Sequence, residues 1–157
     1  MVIKRLKFAA GLTLIEIMIA IAGLLVAVIG TSAFRYYAAL DARRADVYMT
    51  AARVGLLFCE SWRGVKGSDS YDPTVYSDSD LTVTAGEGPD APEEFTPFGS
   101  YIVVANNATY YVTLSWKDVN DGLRALNVVV AWAQRGHREA SIEDTDKLFQ
   151  LTAYTLN

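Results

Sequence analysis

Among the side chains of this sequence that could do chemistry, Glu16 stands apart. It follows Gly11 by five residues and is the only charged residue in the run Leu12–Phe34, LTLIEIMIAIAGLLVAVIGTSAF. An ionisable group in a membrane helix costs at least about 2.5–3.5 kcal/mol at the bilayer centre, so such a residue is functional by default. Glu16 lies near one end of the run, where its side chain can reach toward the interface and lower that cost.

Other reactive types are sparse. The chain holds one cysteine, Cys59, and one histidine, His137, so neither an internal disulfide nor a Cys/His metal cluster can be built. Cys59 falls on an apolar helix face and reads as a small buried hydrophobe. His137 sits in a Gln-Arg-Gly-His-Arg stretch between strands, with no positioned partner for acid–base work. No nucleophile elbow, glycine-rich phosphate loop or zinc helix motif is present, and no acid pair lies on a rigid element. Asp69, Asp72, Asp78, Asp80, Glu87, Asp90, Glu93 and Glu94 accumulate in one stretch that has no cation after Lys66. Their spacing fits no calcium loop, and Asp118-Val119-Asn120-Asp121-Gly122 places its glycine fifth where an EF-hand needs it sixth. The expectation is a chain that is not an enzyme and carries no cofactor and no metal.

The elements that must position Glu16 come next. MVIKRLKFAA before Gly11 is short and basic, and a largely apolar run of 23 residues follows. At 1.5 Å per residue they make a helix of roughly 35 Å, enough to cross a hydrocarbon core of about 30 Å. The basic flank places the N-terminus in the cytoplasm and the remainder beyond the bacterial inner membrane. A cleaved secretory signal is the rival, but its apolar region would be shorter and Thr31-Ser32-Ala33 is a weak cleavage site.

From Arg35 to Gly64 there is no proline, and the helix is expected to continue. Stepping 100° per residue, Val47, Ala51, Val54, Phe58 and Trp62 share an arc, widened by Tyr48, Ala52, Gly55, Leu56 and Cys59. Arg43, Asp46, Thr50, Arg53 and Glu60 lie on another, interrupted by Leu57. Residues 65–99 hold all four prolines and read as a long acidic surface loop with a short strand at Leu81–Thr84. After Gly99 the period becomes two. Tyr101–Ala105 and Thr109–Trp116 form a hairpin through Asn106-Asn107, Ala125–Ala133 follows a turn at Asn120-Asp121-Gly122, and Leu148–Leu156 ends the sheet. The predicted class is α+β, a long N-terminal helix packed on an antiparallel sheet of about four strands.

Gly11-Leu12-Thr13-Leu14-Ile15-Glu16, with its basic leader and long apolar helix, resembles the class III leader of type IV prepilins and pseudopilins. The resemblance implies cleavage after Gly11 by a membrane prepilin peptidase and methylation of the new amino group on Leu12. It implies that Glu16 meets the N-terminal amine of a neighbouring subunit during assembly. The implied parts are a leader at 1–11, a transmembrane and filament-core helix at 12–35, an amphipathic helix at 36–64, and a head at 65–157 with its sheet in 100–157. Val47, Val54, Phe58 and Trp62 would then pack on the sheet while the upstream apolar face meets other subunits; wholly intramolecular packing is the alternative.

More weakly, ALNVVVAWAQRG and LFQLTAYTLN resemble the C-terminal ends of minor pilins and minor pseudopilins. Many pilins carry a disulfide near the C-terminus, which a chain with one cysteine cannot form, and this tilts the reading toward a minor subunit. Partners implied are other pilin or pseudopilin subunits, the peptidase, an inner-membrane assembly platform and the membrane, in a type IV pilus or a type II secretion filament. Without residues 1–11 the chain keeps 11 cations against 18 acids, a net −7 that opposes nucleic-acid binding. Two other functions compete. One is a competence pseudopilin touching DNA through Arg135 and Arg138; the other is an uncleaved bitopic membrane adhesin.

Overall fold

The computed structural model describes residues 13–78, 80–134 and 141–156. It bears out the α+β class: one helix, α1 (Leu14–Gly64), and one antiparallel sheet of five strands in the order β1-β2-β3-β4-β5. The strands are β1 (Leu81–Ala85), β2 (Thr96–Ala105), β3 (Ala108–Asn120), β4 (Leu123–Trp132) and β5 (Lys147–Leu156). The count of about four strands is corrected by β1, the short strand foreseen at Leu81–Thr84, which pairs with β2 from Leu81↔Ala105 to Ala85↔Tyr101. Residues 65–99 are therefore not one loop. They contain a 3-10 turn (Pro73–Tyr76), all of β1 and the first residues of β2.

The chain divides into two compact units, Met1–Ala42 and Arg43–Asn157. In the first, every described residue from Thr13 to Ala39 is exposed, because the apolar side chains run all round the helix and no single stripe exists to bury. This segment makes α1 long and apolar enough to span a membrane.

The second unit is the head, and its core lies between the last five turns of α1 and one face of the sheet. Ala51, Val54, Phe58, Cys59 and Trp62 meet Val83, Val103, Tyr110, Val112, Leu114, Leu126, Val128, Val130 and Trp132. Phe58, Cys59 and Trp62 are fully buried, and Val47 packs at the edge of the cluster. The helical arc is broader than its polar residues suggest. Thr50, assigned to the polar arc, is buried, because its hydroxyl bonds back to the Asp46 carbonyl (3.0 Å) and accepts from Asn106 Nδ2 (3.3 Å).

Local chemistry sets the register. Asn106 and Asn107 take φ 49° and 62°, the two left-handed positions of a tight hairpin turn, and pair β2 with β3 down to Ala105↔Ala108. At the end of α1, Gly67 (φ 68°) donates to the Trp62 carbonyl at 2.9 Å and stops the helix.

Beyond the helix-facing core, the opposite sheet face is also closed over its centre. Tyr111, Thr113, Ser115, Asn127 and Val129, which alternate with the helix-facing residues, are all buried. Residues 86–95 fold back there. Gly86 N donates to Ser100 O (3.0 Å), the Thr113 hydroxyl donates to Pro89 O (2.6 Å), and Glu94 pairs with Lys117. A Cβ on Gly88 would lie 2.4 Å from Thr113 Oγ1, so only glycine lets this segment approach so closely.

Candidate assembly site

The N-terminal site is built by four residues, Thr13-Leu14-Ile15-Glu16. Thr13 caps α1: its backbone N–H and its hydroxyl both donate to Glu16 Oε2 at 2.9 Å, and Glu16 N donates back to Thr13 Oγ1 at 3.4 Å. This is a capping box, in which a threonine and a glutamate three residues later satisfy each other's orphan groups at a helix start. The carboxylate also sits where the positive end of the helix dipole favours an anion. Sequence reasoning singled out Glu16 but missed Thr13, although the T-x-x-E spacing ahead of an apolar run is itself a readable signal.

One carboxylate oxygen, Oε2, carries both contacts from Thr13, and no bond from a described residue reaches Oε1. The site thus holds a fixed anion with one oxygen turned to its surroundings, at the head of an exposed apolar helix. Gly11 and Leu12, the expected cleavage site and mature N-terminus, lie outside the described residues. Further along, the Thr31 hydroxyl donates to Ala27 O (2.9 Å) and Val28 O (3.0 Å), so the helix absorbs it internally.

The four head residues expected at the helix–sheet contact come together with the sheet. Trp62 is the anchor: its Nε1 donates to Ser68 O (3.1 Å), and its ring lies 4.9 Å from Phe98 and 6.0 Å from Tyr71. Tyr71 in turn meets the Ser61 hydroxyl at 2.6 Å, and burial pushes its phenol up to about 12. Arg124, which sequence reasoning left unassigned, fastens the other side of the helix end. Its guanidinium donates to Gly67 O (3.0 Å) and to Asp118 Oδ1 (2.9 Å), and lies 4.0 Å over the Trp116 ring. The cross-strand register Asp118↔Arg124 is the signal, invisible until strand pairing is known. The strand read as ending at Trp116 runs on to Asn120, so Trp116 lies inside β3 with the Arg124 guanidinium over its ring.

The remaining reactive groups stay apart. Burial pushes the Cys59 thiol up, which suppresses the thiolate a reactive cysteine needs. The acidic side chains of residues 86–95 are exposed, and among the described residues no group of His, Cys, Asp or Glu is placed to hold a metal ion. Arg135, His137 and Arg138 lie outside the described residues. No known protein family matches the chain, and neither the characterised proteins nor the solved structures yield a match to it.

Proposed function

We propose that the chain is a structural subunit of a type IV pilus or type II secretion filament, a minor pilin or pseudopilin, matured by prepilin peptidase and assembled through its N-terminal helix. The observation that carries this reading is Glu16, a carboxylate fixed by Thr13 at the head of an exposed apolar helix, with one oxygen that no described residue engages. In lipid that charge is costly, and a neighbour's freed amine is the partner that neutralises it, so pairing favours assembly over residence as a lone subunit. The helix–sheet head, with its acidic exposed segment at 86–95, is the part that would face outward from the filament.

The test is co-expression of the full chain with a prepilin peptidase, followed by mass analysis of membrane-extracted protein. The expected product begins at methylated Leu12, and Gly11→Ala blocks its formation. Glu16→Ala should insert and be cleaved normally but enter filaments poorly. Retention of residues 1–11 with an active peptidase removes the filament proposal and leaves an uncleaved membrane protein with an exported head. Normal filament entry of Glu16→Ala removes the pairing mechanism alone.

A further inference from the structure

Residues 86–95 cross the sheet face that points away from α1 without joining the sheet. They form neither helix nor strand, none of them is buried, and none enters the hydrophobic core. The Thr113 hydroxyl donates to Pro89 O, and Lys117 pairs with Glu94. The segment therefore follows β3 from Thr113 to Lys117. Ser115 shares their face of the strand and lies beneath it with no exposed surface. The segment is fastened by hydrogen bonds at Gly86 and Pro89 and by an exposed ion pair, contacts that bury little apolar surface. Segments held in this way open at the low end of a protein's range of local stabilities.

Beneath this strap the sheet is polar. Ser115, Asn127 and Thr152 are partners in register across β3, β4 and β5, a transverse row that runs from fully buried Ser115 to exposed Thr152. Asn127 Nδ2 donates to Thr152 Oγ1 at 2.8 Å. Ser115 Oγ and Asn127 Oδ1 are buried with no hydrogen-bond partner among the described residues. A polar group buried in this state has lost its hydration without a replacement bond, so both groups oppose closure, and lifting the strap returns them to water. Opening is favoured from below and weakly resisted from above.

We infer that residues 86–95 are a strap that lifts from the sheet as a unit while the core between α1 and the sheet stays folded, uncovering a hydrogen-bonding row made by Ser115, Asn127 and Thr152. The motion belongs to the head alone and stands whether or not the N-terminal segment is processed.

Two thiols in one chain test it: native Cys59, buried in the core, and Ser115→Cys, beneath the strap on the other face of the sheet. Cysteine is close to serine in shape and is the weaker hydrogen-bonding group, so the probe itself adds no pull toward the open state. The full chain in detergent micelles is treated with N-ethylmaleimide, label at each position is followed by peptide mass analysis, and each rate is divided by that of the same thiol in urea. Cys59 reports opening of the core, and the introduced thiol should react at least about tenfold faster. Gly88→Ala should raise the introduced thiol's rate by about tenfold again and leave Cys59 unchanged, because a Cβ there meets Thr113 Oγ1 and lies 2.9 Å from Val112 O, so the strap cannot seat. Thr113→Val, which removes the donor to Pro89 O without adding bulk, should give the same pattern at about fivefold. The inference is overturned if the two thiols react at one rate, or if these variants accelerate both thiols alike or neither.

Discussion

Gly67→Ala tests how α1 is fastened to the sheet. Gly67 has φ 68°, and a Cβ there would lie 2.9 Å from Leu126 Cδ2 and 3.2 Å from Arg124 Cδ. Two costs follow. Forcing an L-residue into the left-handed region costs roughly 1–2 kcal/mol. Leu126 is fully buried against the helix and has little room to retreat, so overpacking adds about 1–3 kcal/mol. Arg124 must also give way, which disturbs its bond to the Gly67 carbonyl (3.0 Å) and its seat over Trp116. The expected loss is about 2–5 kcal/mol of head stability. Gly64→Ala is the internal control, since a Cβ there meets nothing within 4 Å and the backbone is helical; it should be neutral or stabilise by up to about 1 kcal/mol. Urea unfolding followed by tryptophan fluorescence is the assay, because the chain's three tryptophans, Trp62, Trp116 and Trp132, all lie in the head. With a slope of about 1–3 kcal/mol per molar urea, the midpoint should fall by roughly 1 M or more for Gly67→Ala and stay or rise for Gly64→Ala. Equal midpoints for the two variants would refute the claim that Gly67 is fixed by its backbone and its neighbours.

Two further outcomes follow from buried polar groups. Ser115 Oγ is buried with no hydrogen-bond partner among the described residues, so Ser115→Ala should raise stability by about 1 kcal/mol in the same urea assay. Tyr71 has its phenol raised to about 12 by burial, against about 10 when unfolded, so the unfolded state ionises first and Tyr71 contributes a loss of stability between about pH 10 and 12. Tyr71→Phe should make the alkaline limb of the stability profile shallower without flattening it, because burial also raises Tyr101, Tyr110 and Tyr111.

The helix, the hairpin and the helix-facing row of each central strand were legible because each rests on local periodicity. Tyr110, Val112 and Leu114 recur at every second position, and Asn106-Asn107 announces its own turn. The complementary rows were not. Thr113, Ser115 and Asn127 look like solvent-facing polar residues, yet all are buried, in part because residues 86–95 return over the sheet through main-chain atoms such as Pro89 O. Main-chain contacts leave almost no mark on side-chain pattern beyond a permissive residue such as Gly88. Arg124 was hidden for a related reason: its partners Gly67, Trp116 and Asp118 become neighbours only once β3 pairs with β4 and the helix end is in place. At the N-terminal site Glu16 was conspicuous as a lone charge, whereas Thr13 drew no notice because threonine is unremarkable beside apolar residues.

On the proposed reading, the same N-terminal geometry bears on how a membrane helix could become a filament core. Its apolar side chains are exposed all round and Thr31 is satisfied by its own helix, so for these groups lipid tails and the sides of other helices are nearly equivalent surroundings. Apolar contact therefore supplies little preference for the assembled state beyond close packing. A preference must come from a group whose environment differs between the two, and Glu16 is the candidate. Thr13 lowers the cost of holding the carboxylate in an unassembled subunit by engaging Oε2, yet leaves Oε1 available to a cation. On the proposed reading the capping box sets the size of the driving force: a carboxylate with no local partner would be too costly to insert, and one with both oxygens engaged would gain little from a neighbour's amine.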